Sequence, residues 1–189
     1  MTRIPRLFSI AIAAGLAAGC VSPKGVTPDE QRSHTHEVYQ EALDRFYAAQ
    51  PSLRELVQQS GGHVVFSSVD GQYLMFGGGN GFGMAVDAKT GSRTYLKRLE
   101  LALGFGLGLR SYQTLIVFRD QATLGKLLEE GWDLGGDATA AFQAGDKGGS
   151  AAMAGNPRSG MQVWELTESG VIAKLAVNGS KAWRNADLN

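Results

Sequence analysis

The chain is poor in residues that carry covalent and redox chemistry, with one cysteine and three histidines among its 189 residues. A lone cysteine, Cys20, cannot form a disulfide within the chain. His63 has neither a serine in a nucleophile-elbow sequence nor a second thiol to activate. Hydrolase chemistry is therefore disfavoured, and the sequence predicts no catalytic residue, no cofactor and no metal site.

An excess of charge of one sign is also lacking. The chain carries 18 basic and 18 acidic residues, and loss of Arg3 and Arg6 with an N-terminal signal leaves 16 basic against 18 acidic. A faintly acidic protein lacks the electrostatic footprint of a nucleic-acid-binding protein. Nucleic acid is therefore not expected among its partners.

Long apolar runs are absent except near the N-terminus, where residues 7–16 follow Arg3 and Arg6. This run is too short to span a bilayer. It has the charged start, apolar core and small-residue end of a secretory signal peptide, and it leads into Leu16-Ala17-Ala18-Gly19-Cys20. We interpret residues 1–19 as a lipoprotein signal peptide, Cys20 as the lipidated residue and the segment to residue 27 as a tether. An ordinary signal peptidase site is the alternative.

Lipidation accounts for the lone cysteine and predicts where the protein works. Burial of acyl chains such as palmitate contributes about 0.8 kcal/mol per methylene, so two or more chains hold a protein stably on a membrane. Val21 and Ser22 stand where lipoproteins of the inner membrane commonly carry aspartate. The sequence therefore predicts a lipid anchor in the outer membrane, with the protein facing the periplasm.

Proline is scarce and glycine abundant, with 5 and 26 residues respectively. Thr27-Pro28-Asp29-Glu30 is a capping box that begins a helix ending at Pro51. A short second helix begins at Ser52, and Asp120 caps a third that ends at Gly131. The processed chain of about 170 residues suits a single domain, which we assign to residues 28–189.

Elsewhere the hydrophobic pattern has a period of two, which indicates β-strands. The clearest alternates large residues from Leu101 to Leu109 with glycine or alanine, so its bare face lets another backbone approach or lets the sheet bend. We expect an α+β fold with N-terminal helices, one short inserted helix and a curved, largely antiparallel, glycine-rich sheet, with barrel-like closure left open. The small-residue and glycine-rich composition of residues 145–160 predicts a mobile surface loop. The predicted strands are residues 63–69, 72–76, 81–86, 94–99, 101–109, 112–118, 161–166, 171–177 and 180–183.

Several segments form a recognisable series in their order along the chain. They are His63-Val64-Val65-Phe66, residues 77–83, 104–108, 113–118, 131–138 and 170–175, and Asn178-Gly179-Ser180-Lys181. This series resembles the SYLF domain, a lipid-binding and actin-regulator-like family whose bacterial members are mostly small secreted or lipid-anchored proteins. The resemblance covers residues 53–184.

The resemblance implies a non-enzymatic protein that binds membrane lipid through this domain. It also implies phosphoinositide or actin association in eukaryotic members, which is not expected in a bacterial periplasm. The chain departs from the bacterial pattern at Ser67, where a proline is usual, and at Asp70-Gly71, where a lysine is usual. The alternative is a protein-interaction or scaffolding module of the envelope whose only lipid contact is its acyl anchor.

A cluster of basic residues within ten positions is the predicted site for lipid headgroups. Cations near an anionic membrane surface contribute about 1 kcal/mol each, whereas a solvated hairpin is the simpler interpretation. A second basic group lies on the N-terminal helices, close to the predicted anchor. The cluster consists of Lys89, Arg93, Lys97 and Arg98, and the second group of Arg32, Arg45 and Arg54.

Other motifs do not predict a ligand site. The glycine runs lack the last glycine of a dinucleotide fingerprint, which Met84 and Leu109 replace. His34 and His36 lie two residues apart on a helix, so their side chains point in nearly opposite directions and cannot share a metal ion. Four acidic residues surround Trp132, but no pattern makes them converge as a catalytic pair: Glu129, Glu130, Asp133 and Asp137.

Overall fold

A computed structural model of the protein describes residues 21–133, 160–167, 170–174 and 180–189. These residues form an α+β fold with three helices and six strands of one antiparallel sheet, as the sequence predicted. The predicted signal peptide, Cys20 and residues 145–159 of the predicted loop lie outside the described residues. The helices are α1 (Pro28–Ala49), α2 (Ser52–Gln58) and α3 (Gln121–Glu130), and the strands are β1 (Gly62–Asp87), β2 (Arg93–Phe118), β3 (Trp132–Asp133), β4 (Met161–Thr167), β5 (Gly170–Lys174) and β6 (Ser180–Arg184).

The helices begin and end at the predicted residues. The Thr27 hydroxyl accepts a hydrogen bond from the Glu30 amide, and the Glu30 carboxylate accepts one from the Thr27 amide, which completes the capping box of α1. Asp120 caps α3 by accepting from the Thr123 amide over 2.8 Å. Gly131 ends α3 with φ +73°. Among the described residues, no helix combines the length and the apolar character needed to cross a membrane.

The six strands predicted between residues 63 and 118 are two long strands. β1 and β2 have 26 residues each and pair from Gly62 opposite Phe118 to Val86 opposite Arg93. The division into shorter strands was wrong, because the glycine-rich and polar positions between them continue the ladder instead of making turns. A register shift between Leu74 and Phe76 is the one irregularity in this pairing. We call the paired strands the ribbon.

The ribbon folds back on itself at its middle. A Cβ atom added to Gly83 would lie 2.2 Å from the Val65 carbonyl oxygen, and one added to Gly79 would lie 2.3 Å from the Val69 oxygen. The second half of β1 therefore lies directly against its first half, and glycine is what permits this approach. Of the bare face predicted in β2, the surroundings are described at Gly108, where nothing lies within 4 Å of an added Cβ atom.

The other strands extend the sheet from the two halves of β2. β6 pairs with residues 96–100 and carries β3 on its far side, whereas β4 pairs with residues 113–118 and carries β5. The sheet formed by the described strands is curved and is not closed.

Helices cover both faces of the sheet at one end of the ribbon. We call the face under α1 and α2 the outer face, where Val65, Met84 and Leu115 are buried with Phe46 and Leu53. The opposite, inner face packs against α3. Its buried core includes Val64, Phe66, Ala85, Leu96, Ile116, Phe118, Leu124 and Leu127. This end, with the turn at residues 88–92, is the ribbon base; the end with residues 70–80 and 99–110 is the ribbon tip.

Candidate functional site

The four basic residues of the predicted headgroup site do not share one surface. Lys89 and Arg93 are exposed at the ribbon base. The ammonium of Lys97, which is partly exposed, lies 3.0 Å from the Asp187 carboxylate. Arg98 is only 3% exposed, because alternate residues of a strand point to opposite faces and Arg98 points inward. Its guanidinium is not available to a headgroup at the protein surface.

Arg98 belongs to a polar cluster between the two halves of the ribbon. Its guanidinium donates to Glu100 over 2.7 Å and to the Thr114 hydroxyl over 2.9 Å. Its central carbon also lies 5.5 Å from the centre of the Phe66 ring. Glu100 is 4% exposed. A buried ion pair is tolerated when hydrogen bonds replace the lost hydration, and this pair meets that condition.

The cluster continues through Tyr112 toward the ribbon tip. The Tyr112 hydroxyl lies 2.5 Å from Glu100 and 3.1 Å from Asp70, and burial raises the pKa of Tyr112 so that it keeps its proton. Arg110 bridges Asp70 and Glu165 at 3.1 and 3.0 Å. We call these residues the charge network: Asp70, Arg98, Glu100, Arg110, Tyr112 and Glu165. It ties strands β1, β2 and β4 together.

The outer face of the ribbon tip carries exposed leucines. Leu101, Leu107 and Leu109 are 64%, 78% and 74% exposed, all at odd-numbered positions of β2. Leu99 occupies the same face, and Leu74 is exposed at the register shift of β1. We call the four leucines of the outer face the leucine surface: Leu99, Leu101, Leu107 and Leu109.

Two of these leucines lean toward each other over a floor of glycine. Leu101 is opposite Gly78 and Leu109 is opposite Gly71, so the four residues lie in a row across the ribbon. A Leu109 methyl lies 3.3 Å from the Cβ position of Gly71, and a Leu101 methyl lies 3.7 Å from that of Gly78. The Cβ position of Gly71 is in turn 4.0 Å from the Gly78 oxygen. Leu101 and Leu109 therefore lie on either side of two adjacent glycines on this face.

The ribbon tip thus has its apolar and charged residues in inverted positions. A sheet with one face in water normally buries its apolar face and exposes its polar face. Here Arg98 and Glu100 point inward, while Leu99 and Leu101, their neighbours in β2, point outward and stay exposed. Large exposed apolar patches mark sites that contact proteins or membranes. This inversion makes the leucine surface the candidate functional site.

The leucine surface and the exposed basic residues lie at opposite ends of the ribbon. Arg93 begins β2 and Leu101 is eight residues further along, which corresponds to about 26 Å of extended strand. A flat membrane touching the ribbon tip would not reach Lys89 and Arg93 at the base. The two surfaces are therefore alternative contact sites rather than parts of one site.

His63 is a structural contact between sheet and helix. It is the second residue of β1 rather than a strand-edge residue, and its Nε2 lies 2.5 Å from the Tyr39 hydroxyl of α1. Burial lowers the pKa of His63 to about 4 and raises that of Tyr39. A neutral His63 accepts a hydrogen bond from the Tyr39 hydroxyl, and its Nδ1 is buried without a hydrogen-bond partner among the described residues. This arrangement holds α1 on the outer face.

The remaining predicted candidates form no shared site. His34 accepts from the Lys24 amide, while burial and then the charge of Arg93 lower the pKa of His36. Glu129 and Glu130 are exposed on α3, the Asp133 side chain is not described, and Asp137 lies outside the described residues. In the part of the chain that the structure describes, no three His, Cys, Asp or Glu side chains are placed to hold a metal ion.

The three arginines of the N-terminal helices all make contacts within the protein. Arg32 donates to the Leu188 oxygen over 2.9 Å and pairs with Asp29. Arg45 donates to the Gln113 side chain over 3.1 Å, and Arg54 lies over the Tyr47 ring. They do not converge on a common surface site.

Comparison with known proteins gives a relative but no family. No protein-family model matches the chain. The chain is similar to beta cell expansion factor A of Aeromonas veronii, with 32% identity over 168 residues. The match covers 89% of this chain and 62% of the relative, so the chain spans less than two thirds of that protein's length. The relative's name refers to an effect on beta cells and specifies no ligand or reaction.

Proposed function

We propose that the protein is a non-enzymatic, lipid-anchored protein of the outer membrane that faces the periplasm and contacts membrane lipid through the leucine surface. The observation that carries this proposal is the inversion at the ribbon tip. Exposed leucines are unfavourable in water and favourable among acyl chains. The signal-peptide pattern ending at Cys20 and the resemblance to the lipid-binding SYLF domain support the same conclusion.

The leucine surface suits an auxiliary contact that acts together with an anchor. Full burial of a leucine side chain stabilises by about 1.5–3 kcal/mol relative to full exposure. The four residues are between 46% and 78% exposed, so each can transfer a large part of its side chain into lipid. Because the contact is apolar, it does not depend on anionic headgroups, and salt should not weaken it.

Two measurements test this function. In cells expressing the full chain, metabolic labelling with an alkyne palmitate analogue and mass spectrometry of the N-terminal peptide should find acylated Cys20 in the outer-membrane fraction. The Cys20→Ser variant should carry no label. A free Cys20 thiol in the mature wild-type protein would refute the anchor.

Vesicle binding tests the contact itself. The mature chain with Cys20→Ser should co-sediment with neutral and with anionic phospholipid vesicles, at low and at high salt. Binding only to anionic vesicles at low salt would favour the basic residues at the ribbon base over the leucine surface. Failure to bind either vesicle, together with crosslinking to a specific envelope protein, would favour an interaction or scaffolding module.

A further inference from the structure

The residue that follows Cys20 is fixed to the sheet by one side chain. The Asn80 amide accepts from the Val21 N–H and donates to the Val21 carbonyl, each over 2.9 Å. Both backbone groups of Val21 are therefore satisfied by a single amide, which carries its donor and its acceptor on separate atoms and can engage both groups at once. Asn80 holds Val21 as a neighbouring strand would.

Asn80 lies on the same face as the leucine surface. It is opposite Leu99 in the ribbon, and Gly78, two residues earlier, is opposite Leu101. Directly opposed residues of an antiparallel pair have Cβ atoms about 4.5–5.5 Å apart and share a face. Val21, which Asn80 holds on this face, is the residue that directly follows Cys20 in the sequence.

The segment after Val21 is also tied to the domain. The Lys24 amide donates to His34 over 3.1 Å, and the amides of Val26 and Thr27 donate to the Glu30 carboxylate. The Gln31 side chain donates to the Gly25 carbonyl over 3.2 Å. The predicted tether is thus a bound strap, and α1 begins where it ends.

We propose that Asn80 is a positioning residue for the lipid anchor. It fixes Val21, and with it the acylated Cys20, beside Leu99 and Leu101, so that the acyl chains and the leucine surface enter the same phospholipid leaflet. The inference rests on the proposed function. Without the clamp, the three residues before Lys24, whose amide is held by His34, would span up to about 10 Å, and the anchor would no longer select one orientation of the domain. A fixed anchor raises the effective concentration of the leucine surface at the bilayer.

Orientation on the bilayer is the property to measure. The lipidated full-length product is purified from membranes with a fluorophore on Ser111→Cys, an exposed position two residues beyond Leu109, where the thioether of acylated Cys20 does not react. In vesicles of phosphatidylcholine brominated in its acyl chains, fluorescence should be quenched. With Asn80→Leu added, we expect the quenching to fall severalfold while the bound fraction stays the same. The same fluorophore on Lys89→Cys, at the ribbon base, should stay unquenched.

The outcomes separate this inference from the proposed function. Equal quenching at position 111 with and without Asn80 would overturn the positioning role and leave the membrane contact standing. Lack of quenching in both proteins would refute contact by the leucine surface.

A second measurement needs no membrane. In the mature Cys20→Ser chain, the Val21 amide should be protected from hydrogen exchange, and Asn80→Leu should remove that protection without changing protection in β1 and β2. Fast exchange at Val21 in the presence of Asn80 would overturn the clamp.

Discussion

Replacement of two leucines at the ribbon tip tests the membrane contact most directly. Leu101 is 64% exposed and Leu109 is 74% exposed. If full burial of leucine is worth about 1.5–3 kcal/mol, insertion of their exposed parts contributes about 1–2 kcal/mol each. The double variant Leu101→Ser/Leu109→Ser should therefore weaken vesicle partitioning by about 2–4 kcal/mol, or about 30- to 700-fold.

The assay is the partition coefficient of the mature Cys20→Ser chain between buffer and neutral vesicles. Val26→Ser is the matched control, because Val26 is 95% exposed and lies outside the leucine surface. Exposed substitutions of this kind change the free energy of unfolding by only about 0.5 kcal/mol, so both proteins should melt near the wild-type temperature. Unchanged partitioning of a folded double variant would refute insertion of the leucine surface.

Replacement of the exposed basic residues at the ribbon base tests the alternative membrane contact. Lys89→Gln/Arg93→Gln removes two exposed cations of the ribbon base, about 26 Å of strand away from Leu101. We expect partitioning into anionic vesicles to stay the same at high salt. A loss comparable to that of the leucine variant would show that the headgroup site predicted from the sequence is the membrane contact.

Three further predictions concern stability. Gly83→Ala should lower the free energy of unfolding by at least about 2 kcal/mol, because the new Cβ would lie 2.2 Å from a backbone oxygen. Its control is Gly125→Ala on α3, where a Cβ meets nothing within 4 Å and should raise the free energy of unfolding by about 0.5–1 kcal/mol. Arg98→Met should lower it by about 3–5 kcal/mol by leaving a buried carboxylate without its cation, whereas Lys97→Met should cost less than about 1 kcal/mol. The pKa of His63 falls from 6.5 to about 4 on folding, so the unfolded protein binds more protons between these pH values. The contribution of His63 to the free energy of unfolding is therefore fully present above pH 6.5, and up to about 3 kcal/mol is lost as the pH drops to 4. In His63→Gln, the free energy of unfolding should depend less on pH in this interval.

Urea denaturation monitored by circular dichroism measures all three. Equal stability of Gly83→Ala and the wild type would contradict the close approach of the two halves of β1. Similar losses for Arg98→Met and Lys97→Met would mean that Arg98 is not buried. For His63, the informative quantity is the difference between wild type and variant across pH, since Asp87 and Asp120, whose pKa values are lowered mainly by backbone hydrogen bonds, affect both proteins at still lower pH.

Local features of the fold could be predicted because their causes are local. Thr27 and Asp120 cap helices through contacts three residues away, and Gly131 ends α3 with its own backbone angle. The period of two in β1 and β2 likewise reflects neighbouring residues. Strand ends were less predictable. The run Gly77-Gly78-Gly79 within β1 looks like a turn in the sequence, but its pairing with β2 continues the strand through it.

The candidate site was harder to predict because it depends on which face is covered. The alternation from Leu101 to Leu109 predicted one large face and one bare face, but a pattern of this kind usually marks a core. Sequence reasoning took the cations near the turn as the site and assigned the leucines no function. The useful signal was the absence of charged residues at outward positions of β2 from Leu99 to Gln113.

The sequence by itself determined the helices, the class of fold and the glycine-rich character of the sheet, since capping, helix ends and periodicity act over a few residues. Tertiary structure alone decided that Arg98 is buried while Lys97 is partly exposed, that the leucines face outward, and that Asn80 holds Val21 beside them. Each of these depends on the ribbon folding back at the register shift near Leu74, where residues far apart in the chain meet. Contacts between such distant residues leave no periodic trace in the sequence.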